Sequence, residues 1–113
     1  MVYDKAQELA KMLGECQEYK DYRASKEKAL QNDTTKALLK EYHQLQLRAQ
    51  AAMVSGERDD EVMERLHKTG EILQFNKEAS EFLMNEFRMN RVLGDIYRIL
   101  AEAVDMDLDM LEN

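Results

Sequence analysis

The chain has 113 residues, which suits one domain over residues 1–113 with a core that needs no disulfide or structural metal. Lys and Arg number 16 against 23 Asp and Glu, a net charge of −7. That balance disfavours nucleic acid as a direct ligand unless a local basic patch overrides the average. Cys16 is the only cysteine, which excludes an intrachain disulfide and a cysteine-only zinc or iron–sulfur site within one chain. The start, MVYDKAQELAK, is charged from Asp4 onward and lacks the apolar run of a signal peptide. No apolar run approaches a membrane span, so a cytoplasmic protein with no membrane partner is expected. Proline is absent and glycine occurs only four times. Good helix formers dominate, and an all-α fold follows from composition alone.

The first apolar seam is Val2, Ala6, Leu9, Leu13 and Cys16, with the alternating steps of an amphipathic helix. Gly14 should weaken this helix near its end. A second helix follows with Tyr19, Tyr22 and Leu30 inward, and one kinked helix over 2–31 is the alternative. The segment Gln31-Asn32-Asp33-Thr34-Thr35 is a break, with Asn32 or Asp33 as the cap of a third helix. Its seam is Leu38, Tyr42, Leu45, Ala49 and Ala52, and Gly56 suits the left-handed position after its end. Asp59 or Asp60 caps a fourth helix whose seam is Met63, Leu66, Gly70 and Leu73. Phe75-Asn76 is the next break, and Asn76 caps a long last helix over about 77–104.

Helix length then becomes decisive. A helix of about 25 residues is ~37 Å long, whereas a compact chain of this size has a radius of gyration of about 13 Å. The expected architecture is therefore an elongated hairpin or bundle of four to five helices with a long C-terminal helix. The last helix carries one stripe of Met89, Leu93, Ile96, Leu100 and Ala103. A second stripe holds Phe87, Asn90, Gly94, Tyr97, Ala101 and Val104. The combined arc is wider than a two-helix contact uses. It is either the core of a monomeric bundle or the contact surface of an oligomer, and a dimer is expected. Gly94 costs ~1 kcal/mol in a helix interior relative to alanine, which close approach of another helix would explain. The residues assigned to the buried contacts are Phe82, Phe87, Leu93, Ile96, Tyr97 and Leu100.

Candidate chemistry is sparse. Glu64 and His67 have the Glu-x-x-His spacing of ferritin-like di-iron bundles, but such sites need two pairs and two further glutamates. His43 lies one step off its helix seam and reads as a boundary histidine. Cys16 stands beside Glu15 and Glu18, which raise a thiol pKa rather than activate it. Arg88, Arg91 and Arg98 alternate with Asp95 and Glu102 as a solvated ladder. Eight methionines suit gap-filling in a narrow core. The closing DMDLDMLEN places Asp105, Asp107 and Asp109 at alternate positions, as an EF-hand loop begins. However, Met110 occupies the place of the loop's glycine, and the twelfth-position glutamate is missing. The tail reads as the end of the last helix. No phosphate loop or nucleophile elbow occurs, so no catalytic residue, metal site or cofactor is assigned.

Val2-Tyr3-Asp4-Lys5-Ala6 with Glu8-Leu9-Ala10, the stretch Glu18-Tyr19-Lys20-Asp21-Tyr22, and the closing EFLMNEFRMNRVLGDIYRILAEAV carry a resemblance. Over nearly the whole length the chain resembles the YlbF/YmcA family of small helical bacterial proteins, and most closely its YheA-like branch. The resemblance implies a cytoplasmic, self-associating all-α protein. It also implies that relatives join a ribonuclease-linked RNA-processing complex that carries cysteine-held iron–sulfur clusters. Residues 80–113 contain no cysteine, so cluster binding does not carry over. The expected function is non-enzymatic protein–protein interaction. The alternatives are a regulatory subunit of an RNA-processing complex and, last, a metal-dependent enzyme.

Overall fold

Four breaks in the chain decide where its helices start and stop. The computed structural model describes residues 1–105 and divides them into α1 (Val2–Glu15), α2 (Gln17–Leu30), α3 (Asp33–Ser55), α4 (Asp60–Gln74) and α5 (Lys77–Ala103). The first break is at Cys16, whose backbone is extended (φ −74°, ψ 155°), two residues beyond Gly14 in the last turn of α1. Separate α1 and α2 are thus observed rather than one kinked helix. At the other breaks a short polar side chain takes up a free amide of the next first turn. Asn32 Oδ1 accepts from the Thr35 amide at 3.0 Å, and Asp59 Oδ1 accepts from the Val62 amide at 3.1 Å. Asn76 Oδ1 accepts from the Ala79 amide at 3.1 Å. Gly56 ends α3 at φ 76°, a conformation that glycine adopts without a Cβ penalty. Asp105 follows α5 at φ 54°, and Asp is among the few other residues that visit this region as single positions. Asp107 and Asp109, and with them the EF-hand comparison, lie outside the described residues.

The helices associate as two antiparallel pairs, α2 with α5 and α3 with α4. In the first pair, Asn85 Nδ2 donates to Ser25 Oγ at 3.1 Å and to the Asp21 carbonyl at 3.3 Å. The Tyr22 ring stacks on Phe82 with centroids 5.6 Å apart. In the second pair, Arg65 reaches Glu41 at 2.8 Å. Tyr42 lies against Gly70, where an added Cβ would stand 3.3 Å from the tyrosine Cε1. The close helix approach within this chain is therefore at Gly70. At Gly94 nothing lies within 4 Å of such an atom. Gly94→Ala is expected to stabilise the isolated chain by about 0.5–1 kcal/mol, through helix propensity alone. The denaturant midpoint at high dilution reads this out, and a lower midpoint would contradict an open Gly94.

The core forms where the two pairs meet. Ala29, Leu39, Leu73, Ala79 and Phe82 are buried together, with Tyr22, Leu30, Leu38, Tyr42 and Leu83 packed around them. Asn76 ties the junction: besides capping α5, its Nδ2 donates to Thr35 Oγ1 at 2.9 Å, joining the starts of α3 and α5. Asn76→Ala removes both bonds and leaves buried Thr35 short of a partner. A loss of about 1–2 kcal/mol is expected in chemical denaturation, and no shift of the midpoint would show that neither bond matters.

Two seams are rotated from their expected faces. In α4, Val62, Thr69 and Leu73 are buried while Met63 is 54 % exposed. In α1 no residue is fully buried: Val2 is 81 % exposed, and the seam that its spacing announces is covered only in part, at Leu9, Leu13 and Cys16. Phe82 is corrected likewise: it is 3 % exposed inside the chain's own core and cannot reach a partner. The radius of gyration is 17.1 Å and the extents are 46 × 37 × 16 Å. The smallest extent is about a third of the largest, so the molecule is a flattened slab. A slab this thin leaves most helices with an uncovered side.

Candidate interaction surface

The mismatch between α2 and α5 builds the surface. Asn85 stands opposite Asp21, only four residues from the start of α2, yet α5 continues for 18 residues beyond it. Much of that second half overhangs its partner helix. Leu93, Tyr97, Leu100 and Val104 follow one another in helical steps there, at 45 %, 52 %, 55 % and 64 % exposed. Phe87 is also exposed and Ile96 half-buried, so five of the six residues expected at a contact surface lie where a partner could reach them. The charged side of this helix is arranged differently from the expected ladder. Arg98 pairs with Asp95 at 3.5 Å, and Arg88 donates to Asn85 Oδ1.

The exposed area gives this surface a scale. The chain exposes 9399 Å², against about 6,500 Å² for a compact monomer of its mass. The excess is larger than the ~800 Å² that each partner contributes to a standard protein–protein interface. Part of this surface is the apolar stripe of α5, and contiguous exposed apolar surface is what marks interaction sites.

The residues with chemical potential do not assemble into a catalytic set. His67 Nε2 lies 2.9 Å from Glu71, one turn further on, while Glu64 pairs with Lys68 at 3.2 Å, so the Glu-x-x-His pair points apart. Among the described residues, no three His, Cys, Asp or Glu side chains gather as a metal site would need. The Cys16 thiol donates to the Leu13 carbonyl at 3.0 Å, half-buried at the α1–α2 break. His43 makes a contact that its place in the sequence could not show. Its Nε2 is 2.9 Å from Glu86 Oε1 on α5, and its ring meets Phe82 edge-on with centroids 6.3 Å apart. Among the described residues no helix is long and apolar enough to cross a membrane.

This arrangement of five helices is not peculiar to the chain. The profile of the family described as control of competence regulator ComK, YlbF/YmcA, matches residues 2–105. The chain belongs to the YlbF/YmcA family. A UPF0342 protein of Clostridium tetani is 38 % identical over 108 residues, covering 95 % of this chain and 93 % of that protein. Among solved structures, a protein of unknown function (DUF964) from Bacillus stearothermophilus superposes with a TM-score of 0.77 at 14 % identity, covering 92 % of each chain. Bacillus subtilis RicA, crystallised in complex with RicF, gives a TM-score of 0.60 at 15 % identity over 92 % of this chain and 93 % of that one. At these identities the structural likeness establishes the fold. Within the YlbF/YmcA fold, the overhanging half of α5 and the partly covered seam of α1 are where this chain leaves apolar side chains exposed.

Proposed function

We propose that the chain is a non-enzymatic interaction protein that self-associates through the second half of α5, with a dimer as the basic unit. The observation that carries this reading is the exposed apolar stripe Leu93–Tyr97–Leu100–Val104 on a helix that outruns its partner. The partly covered seam of α1, with Leu9 and Leu13 only half-buried, supports it. Gly94 lies beside the stripe, with room for a second helix to approach closely. Light scattering across a dilution series tests the proposal. A concentration-dependent mass near twice that of the chain is expected, and a strict monomer at all concentrations would sink it.

A second reading is a regulatory subunit of an RNA-processing assembly in the cytoplasm, contacting other proteins rather than RNA. The structural neighbour RicA, solved in complex with another protein, favours it, as does the family resemblance. Affinity purification from the native cell should then recover a ribonuclease or family paralogues. Unchanged transcript processing in a deletion strain would weigh against it.

A further inference from the structure

The groove between the two helix pairs has the opposite charge character to the rest of the molecule. It holds ≈ 440 Å³ between α2, α3 and α5. Its floor is apolar, with Leu39 and Phe82 at 2 % and 3 % exposed and Leu30 half-buried beside them. Leu47, 67 % exposed, extends the apolar lining along α3. Lys26, Lys36 and Lys40 stand around the groove. Lys26 Nζ sits 5.7 Å over the Tyr22 ring. Among the described residues none of the three lysines has a carboxylate within ion-pair distance. The carboxylate that lines the groove, Glu86, is engaged by His43 at 2.9 Å. In a chain of net charge −7 this is a local basic patch over a greasy floor.

One segment of the same sequence has the complementary pattern. Asp105, Asp107 and Asp109 alternate with Met106, Leu108 and Met110, and Leu111 and Glu112 follow. We propose that the groove binds the acidic–apolar segment Asp105–Glu112 of a second copy of the chain, the aspartates meeting the lysines and the Met and Leu side chains entering the floor. This rests on the self-association reading and adds a second contact to it. Reach excludes the chain's own segment. Asp105 is 19 residues beyond Glu86 along α5, ~28 Å away at helical rise, while the six residues from Asp105 to Leu111 span at most ~21 Å extended. The floor also argues against RNA. Its side chains are mainly aliphatic, and the Phe82 ring is already engaged by Tyr22 and His43, leaving little free aromatic face for base stacking.

The test is a fluorescein-labelled peptide of residues 104–113 titrated with the full chain, followed by anisotropy. Saturable binding is expected, about tenfold weaker for the Lys36→Glu, Lys40→Glu double variant, and weaker again at high salt. A peptide carrying Asp107→Lys and Asp109→Lys should restore binding to that double variant and lose it to the natural chain. Circular dichroism of the variant guards against simple misfolding, since both lysines are exposed. Equal binding by the natural chain and the double variant would overturn the proposal, as would no binding at millimolar peptide. So would a short RNA oligonucleotide that binds through the lysines where the peptide does not. A chain that is dimeric by light scattering yet ignores the peptide overturns the groove's occupant and leaves the α5 interface standing. A chain that binds the peptide but is monomeric at every dilution overturns docking between copies.

Discussion

Phe82→Ala is expected to destabilise the chain by about 3–5 kcal/mol, the range for removing a buried aromatic ring. Phe82 is 3 % exposed at the junction of the two helix pairs. It stacks on Tyr22, meets His43 edge-on and borders Leu39, Leu73, Ala29 and Ala79. Three elements lose contacts together when the ring is removed. A slab 16 Å thick has little further core to compensate. The thermal midpoint should fall by on the order of 10 °C or more. Phe87→Ala, one and a half turns further on, removes a ring that is 67 % exposed, so the folded monomer should change by only about 0.5 kcal/mol. Thermal and urea unfolding of the two variants at high dilution measures the contrast. Equal losses at both positions would mean that Phe82 is not the centre of the fold.

Leu93→Asp combined with Tyr97→Asp should have the inverse profile. Both side chains are about half exposed and separated by one helical turn on the overhanging part of α5. Each substitution would bury a carboxylate in an apolar contact, which is costly unless the charge is paired. Truncation of central apolar anchors costs about 2 kcal/mol or more, so a carboxylate at both positions should raise the dimer dissociation constant at least about 100-fold. Helix content and the unfolding midpoint at high dilution should stay close to those of the natural chain, because neither side chain supports the monomer core. Sedimentation equilibrium over a concentration series separates the two effects. A variant whose mass distribution matches that of the natural chain would remove this stripe from the interface.

Every helix boundary with a capping side chain was legible in the sequence, because the signal is local. Asn32, Asp59 and Asn76 act within three residues, and Gly56 acts through its own backbone. Gly14 marks the neighbourhood of the end of α1, but the break itself stands at Cys16. Glycine weakens a helix wherever it stands, but what stops α1 is an extended residue with no distinctive side-chain signal. In α4 Val62 is buried in place of the expected Met63, since both are apolar and only the placement of α3 chooses between them. Phe82 and Phe87 lie on one helix with the same side chain, and the sequence offers nothing that sorts core from contact surface.

The amino-acid sequence by itself determined that this chain is helical, where four of its five helices begin, and that its last helix is longer than its own chain can cover. Those properties follow from propensity, capping and a 3.6-residue period, all of which act over a few residues. Only the tertiary structure decided which apolar side chains face inward. It set Asn85 beside Asp21 and so left the stripe Leu93–Tyr97–Leu100–Val104 on the second half of α5 exposed. It also brought His43 to Glu86 across 43 positions, and three lysines from two helices around one groove. Such contacts depend on the register and pairing of whole helices, and no short window of sequence carries that information.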